Sequence, residues 1–310
     1  MMHRRRLLAA TAVAVLTGAV AGCGDRASGF GTDGRLDVVT AFYPLRFLSE
    51  HLGGDAVAVT DLTKPGAEPH DVELNPRQVA DISDAGLVVY LKGFQPAVDE
   101  AVEQEAADRA FDAGSAVELL AAVDGHEHVP GEPKHAEGST DPHVWLDPVR
   151  FGTIAGQLAG RLAQADPARA AGYAERAATL HRELTALDTE YATGLRTCAR
   201  RELVTSHTAF RYLADRYGLT EVGITGVSPE SEPSPQRLAR VAEQAKSTGT
   251  TTIFFETLVS PKVADTIARE VGARTAVLDP LEGLTEPDTD YFSVMRANLA
   301  ALTTALGCTS

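Results

Sequence analysis

The chain of 310 residues lacks the motifs that announce covalent chemistry. It has no Gly-x-Ser-x-Gly nucleophile elbow, no glycine loop built to cradle phosphate, and no His-Glu-x-x-His pair. Basic charge is scarce. Lys and Arg number 28 against 43 Asp and Glu, a net charge of −15, so nucleic acid and anionic lipid surfaces are poor partners and a cationic ligand is weakly favoured. Long apolar runs are missing as well. The uncharged stretch from Leu7 to Ala21 is too short to read as a membrane span, and 44% apolar with 23% charged residues fits a soluble globular body. Cysteine is nearly absent, with three in all.

What is present begins with a leader. MMHRRRLLAATAVAVLTGAVAGC orders three arginines, an apolar run and small residues before Cys23, the arrangement of a secretory signal over residues 1–22. Val20-Ala21-Gly22-Cys23 resembles a bacterial lipobox, which makes Cys23 the expected lipidated amino terminus; ordinary cleavage beside an incidental cysteine is the alternative. Arg4-Arg5 before Leu7-Leu8 suits either the general or the twin-arginine export route. Three arginines and no acid leave with residues 1–22, which takes the net charge from −15 to −18. The expected location is the outer face of the cell membrane, or the periplasm. In that oxidising setting Cys198 and Cys308 read first as a disulfide contributing on the order of 4 kcal/mol, and otherwise as two unpaired thiols.

After a Gly/Ser-rich tether over 23–34, short β-branched runs alternate with helical patterns. RLDVVTAF, AVAVTDL and GLVVYLKG predict strands, and PLRFLSEHLGG, NPRQVADISDA and QPAVDEAVEQEA predict helices between them. From Asp147-Pro148 an Ala-, Arg- and Glu-rich region runs to about Arg196. Asp166-Pro167 within it predicts the start of a helix of roughly 28 residues, about 42 Å long. The alternation then resumes with RELVTSH, LTEVGIT, TTIFFET and ARTAVLD, ending in a helix from about Asp290 to Leu306. The expectation is α/β: two lobes, each a parallel-type sheet flanked by helices, joined by one long rigid helix. The expected boundaries are 35–147 for the first lobe, 148–197 for the linking helices and 198–310 for the second lobe. A His-containing loop over 124–140 lies within the first lobe.

Four chemistry-bearing residues stand at strand ends or loops. His70 follows AVAVTDL, His143 lies in DPHVWLD, His207 ends RELVTSH and Asp279 ends ARTAVLD. Ligand groups in open α/β sheets gather at the carboxyl ends of strands, and two of these come from each half, so a cleft between lobes is predicted. Three imidazoles and one carboxylate complete a tetrahedral zinc set at about 2.0–2.2 Å and leave no position for activated water, which favours binding over catalysis. Taken singly, each of the four could equally be a turn, cap or packing residue. Glu256, at the end of TTIFFET, competes for the carboxylate role, stands behind a ligating histidine, or is only a strand-end acid.

GAEPHDVELNP, DPHVWLDP, LVTSHTAF, IFFETLVSPKVADTIAREVGARTAVLDPLEGL and YFSVMRANLAAL together closely resemble the zinc-binding solute-binding proteins of ABC transporters, the ZnuA-like branch of a cluster that also holds manganese binders. The resemblance covers residues 35 to 308. It implies two α/β lobes on one long helix, metal in the cleft, and delivery of Zn2+ to a membrane permease, without enzymatic activity. Position by position, His70, His143 and His207 match the family's histidines and Asp279 its carboxylate. The manganese branch usually has glutamate at the third position, so His207 there favours zinc. The segment with His126, His128 and His135 resembles the family's histidine-rich loop, shortened, serving either weak metal capture or as a solvated spacer. The expected partners are the permease, zinc, and a zinc-donating metallochaperone, with the membrane met only through the lipid anchor and the chain a monomer. Ligand protonation is expected to weaken binding toward and below pH 6.5. A manganese-binding paralogue, an adhesin or zinc chaperone of the same fold, and a zinc hydrolase are the alternatives.

Overall fold

The computed structural model describes residues 29–122, 139–286 and 288–309. The leader, Cys23, and the segment with His126, His128 and His135 lie outside the described residues.

Two four-stranded sheets share one plan. In the first, β1 (Leu36–Thr40), β2 (Val57–Asp61), β3 (Leu87–Tyr90) and β4 (Ala110–Asp112) pair in parallel in the order β2-β1-β3-β4. Parallel strands are covered on both faces, which is why Val38, Val88 and Val89 are continuous apolar runs with no exposed surface. The covering helices are α1 (Tyr43–Gly53), α2 (Pro76–Asp84) and α3 (Pro96–Glu105). The Asn-Pro start expected for α2 is a full capping box. Asn75 Oδ1 accepts from the Arg77 and Gln78 amides, and Gln78 Oε1 accepts from the Asn75 amide. Gln78 Nε2 also donates to the Leu62 carbonyl at 2.8 Å, which fixes the far end of the loop that carries His70 to the end of β2.

Two helices link the halves: α4 (Pro148–Ala165), capped by the Asp147 side chain, and α5 (Ala170–Gly194). The long helix has 25 residues, roughly 38 Å at 1.5 Å per residue. It is shorter than the sequence reading because Pro167–Arg169 form a 3-10 turn. Asp166 does not cap that turn; its carboxylate accepts from Arg169 at 2.7 Å and from the Tyr173 hydroxyl at 2.9 Å.

The second sheet comprises β5 (Glu202–Thr205), β6 (Thr220–Gly223), β7 (Thr252–Phe255) and β8 (Arg274–Val277), parallel in the order β6-β5-β7-β8. It is flanked by α6 (Arg211–Tyr217), α7 (Pro235–Ser247), α8 (Lys262–Val271) and α9 (Tyr291–Leu306). Helix α5 touches both halves: Arg176 donates to the Leu52 and Gly53 carbonyls at the end of α1, and Tyr191 donates to the Met295 carbonyl of α9. One buried apolar cluster runs from the first sheet through α4 and α5 to α9, and a smaller one lies under α7 and α8. Among the described residues, no helix is long and apolar enough to cross a membrane.

Cys198 and Cys308 are bonded through their sulfurs, 110 residues apart in sequence, and flanking backbone bonds run from Arg200 to Leu306 and from Thr309 to Thr197. The link staples the entrance of the second lobe to the end of α9. Replacing both cysteines by serine is expected to lower unfolding free energy by about 2–4 kcal/mol in urea denaturation, by freeing a long loop in the unfolded chain. The strand tips that carry the histidines should keep their places, because Cys198 precedes β5 and Cys308 follows α9, away from the carboxyl end of β5.

Candidate metal centre

The order of each sheet reverses at its first strand, and the crevice of such a sheet opens at the carboxyl ends flanking that reversal. In the second lobe those ends belong to β5 and β7. His207 follows the first and Glu256 the second, and the pair meet: His207 Nδ1 lies 2.8 Å from Glu256 Oε1, which also accepts from Ser206 Oγ at 2.9 Å. Glu256 thus lies behind the His207 ring, on its Nδ1 side.

In the first lobe His70 sits in the loop between β2 and α2. Its amide donates to both oxygens of Glu68 at 3.1 Å, and Gln95 Nε2 donates to the preceding Pro69 carbonyl at 3.0 Å. His143 enters the short 3-10 turn Val144–Leu146 ahead of α4. Asp141 Oδ1 takes both the His143 amide at 3.0 Å and its Nδ1 at 2.8 Å, which sets the ring's direction. Sequence reasoning passed over Asp141, although Asp-Pro-His, with an acid two residues before a candidate ligand, was a readable signal. Trp145 anchors this turn across the lobes: Nε1 donates to the Pro280 carbonyl at 2.7 Å, and its own carbonyl accepts from the Tyr291 hydroxyl.

With Nδ1 of His143 and His207 engaged behind, their Nε2 atoms face forward. They lie 3.4 Å apart, and both meet one carboxylate oxygen, Glu282 Oε1, at 3.0 and 3.2 Å. His70 Nε2 is 3.3 Å from the same oxygen. One donor atom from each of His70, His143, His207 and Glu282 lies within 4.8 Å of every other. A tetrahedral ion with bonds of about 2.0–2.1 Å spaces its ligand atoms by roughly 3.3 Å, so four of these separations are tetrahedral edges.

The carboxylate at this point is Glu282 and not Asp279, which corrects the sequence assignment. Asp279 is turned to local work: Oδ1 accepts from the Leu281 amide at 2.8 Å and Oδ2 from Thr257 Oγ1 at 3.1 Å, while Asn298 holds its backbone on both sides. This turn carries Leu281 at φ 59°, in the left-handed region, and so swings Glu282 into the cleft. Both acids stand in LDPLEGL. Nearness to the strand selected the first of them, and no periodicity reveals a left-handed leucine.

Burial dominates the electrostatics. His143, His207 and Glu282 are at most 1% exposed. Burial alone would lower His143, yet its hydrogen bonds to Asp141 and Glu282 override it and hold the imidazole at about 9. Burial likewise opposes the charge on His207, and the negative charges of Glu256 and Glu282 outweigh it, keeping His207 well above its ordinary value. For Glu282 the raising effect of burial is overcome by the His207 charge and by hydrogen bonds from all three histidines, which hold it well below the usual carboxylate range. His70 goes the other way, lowered by burial. Asp141 Oδ2, Glu256 Oε2 and Glu282 Oε2 are each buried without a hydrogen-bond partner among the described residues. Such a surplus of orphaned carboxylate oxygens around imidazoles is the signature of a site built for a cation.

Two parallel α/β sheets with three imidazoles and a carboxylate meeting between them present the donor set of a metal-binding protein. The chain belongs to the family of the zinc-uptake complex component A, periplasmic (ZnuA), which it matches over residues 38–305. Proteins of this family are substrate-binding receptors rather than enzymes. The chain is 37% identical over 287 residues to the zinc-binding protein AdcA of Streptococcus pyogenes, covering 87% of itself and 56% of that relative, and so spans about half the length of the curated relatives it matches first. It is 35% identical over 299 residues to the high-affinity zinc uptake system protein ZnuA of Bacillus subtilis, with 93% of each covered. The laminin-binding protein Lmb of Streptococcus agalactiae, described as bifunctional with adhesin and metal transporting activity, superposes with a TM-score of 0.75 at 32% identity, covering 87% of this chain and 99% of that one.

Proposed function

We propose that this chain is an extracytoplasmic receptor that captures Zn2+ between its lobes and delivers it to the permease of an ABC importer. One observation carries the reading: three imidazole Nε2 atoms and Glu282 Oε1, contributed by both halves, meet at the spacing of a tetrahedral ion. The proposed ligands are His70, His143, His207 and Glu282, with Asp141 and Glu256 fixing the tautomers of two of the rings. A nitrogen-rich set is soft enough to favour zinc over manganese. Four protein donors leave no open position for an activated water, which weighs against hydrolysis.

In this reading the leader exports the chain, Cys23 anchors it, the disulfide forms outside the cell, and a monomer receives zinc from solution or from a donating chaperone. The likeness to Lmb supports a second reading, adhesion beside transport, which binding to immobilised laminin would test. The primary test is zinc titration of the demetallated protein beside His207→Ala. Wild type is expected to take up one zinc per chain at high affinity and the variant to lose that site. An unchanged site in the variant would refute the ligand set.

A further inference from the structure

The residues that orient His207 extend beyond its partner Glu256. His207 lies in the turn from β5 to α6, and strand β6 runs beside β5 with Glu221 opposite Leu203. Glu221 is the charged residue of strand β6. Its Oε1 accepts three hydrogen bonds, from Thr205 Oγ1 at 2.9 Å, the Ala209 amide at 3.1 Å and the Phe210 amide at 2.9 Å. These donors bracket His207 in sequence, one before it and two after. The other oxygen, Oε2, is buried with no hydrogen-bond partner among the described residues.

The rest of the turn is stitched to the segment that follows the same strand. The Thr208 amide donates to the Gly226 carbonyl at 2.9 Å, and the Thr225 amide donates to the Ser206 carbonyl at 2.9 Å. Thr208 also packs against Gly223 so closely that a Cβ there would stand 2.2 Å from Thr208 Oγ1. Strand β6 therefore clears space for the turn with a glycine and grips it with a carboxylate. A turn residue with free backbone amides on its far side would let the imidazole swing by more than a metal bond tolerates.

We infer that Glu221 is a positioning residue for the metal centre: by holding the backbone on both sides of His207 it sets zinc affinity without touching the ion. The inference rests on the zinc-receptor reading above. Outer partners of metal ligands typically change affinity by 10–100-fold, and Glu221 belongs in that range because it governs the backbone that carries a ligand.

The test is zinc competition titration of the demetallated full chain, with the visible spectrum of the Co2+ form as a second readout of ligand geometry. Glu221→Ala is expected to weaken zinc about 10–100-fold and to alter the cobalt bands. Glu221→Gln, which keeps an oxygen acceptor at the same reach, is expected to restore wild-type affinity within about threefold and the wild-type spectrum. Should the alanine variant fail to fold, Glu221→Asp carries the test, since it keeps the charge but withdraws the acceptor by one methylene and should weaken zinc about tenfold. Wild-type affinity in the alanine or aspartate variant, or a glutamine variant as weak as alanine, overturns the inference. His207→Ala, titrated alongside, separates the two failures: zinc lost there but unmoved by Glu221 variants refutes this inference alone. Wild-type protein without a stoichiometric site refutes the receptor reading itself.

Discussion

Glu282→Ala is expected to weaken zinc binding on the order of 1000-fold, beyond the 10–100-fold typical of outer partners, whereas Asp279→Asn should leave it within about threefold. The two acids stand three residues apart after the same strand, but their surroundings differ. Among the described residues, Glu282 Oε1 is the only oxygen that meets His70, His143 and His207 at once, at 3.0–3.3 Å. Deleting it removes one of four donors together with the negative charge that offsets a divalent ion in a site sealed from water, where unpaired charge is costly. Asp279 instead accepts the Leu281 amide and the Thr257 hydroxyl, and asparagine keeps an oxygen for the first of these. Competition against a chelator of known affinity reads both variants on one scale. Comparable losses in the two would return Asp279 to the coordination sphere and undo the assignment drawn from the turn at Leu281.

The contrast between these two acids shows what the sequence could carry. Strand and helix alternation, the Asn-Pro helix start at Asn75 and the cysteine pair are local or compositional signals, and the structure places β1 to β3 and β5 to β8 where those signals fall, while β4, only three residues long, carried no pattern to read. The three histidines were legible because side chains gather at the carboxyl ends of parallel strands, where His70 follows β2 and His207 follows β5, and because His143 enters the turn that opens α4. Glu282 was not legible, because its direction depends on a single left-handed residue held by Asp279 and Asn298, whose effect no sequence period reports. Glu221 was hidden for a different reason. A lone acid in LTEVGIT reads as a solvent-facing strand position, and only the pairing of β6 beside β5 brings it under the His207 turn. The start of the long helix moved because Asp166 spends its carboxylate on Arg169 and Tyr173 instead of on backbone amides.

The pH dependence of capture should also depart from that of ordinary histidine. With unperturbed imidazoles, affinity would level off above about pH 6.5. The geometry, however, holds His143 at about 9 and His207 well above its ordinary value, both against burial and both through neighbouring carboxylates. The sign follows from the raised folded values. The Nε2 protons stay on through neutral pH, and each must leave before its nitrogen can take a metal, while the Nδ1 protons stay on the rings and are donated to Asp141 and Glu256. One to two protons should therefore be displaced per zinc, so apparent affinity is expected to rise about 10- to 100-fold per pH unit from pH 6.5 to about 9. Calorimetric titration in two buffers of different ionisation enthalpy counts those protons directly, and a plateau above pH 6.5 with no proton release would contradict the linkage. The same raised values act oppositely on the empty protein, whose carboxylate–imidazolium contacts are complete below about pH 6.5 and are lost as pH rises through about 9. Stabilisation by zinc, read as the melting shift between empty and loaded protein at fixed zinc, should then widen as pH increases, because the empty site loses its protons as the filled one gains affinity.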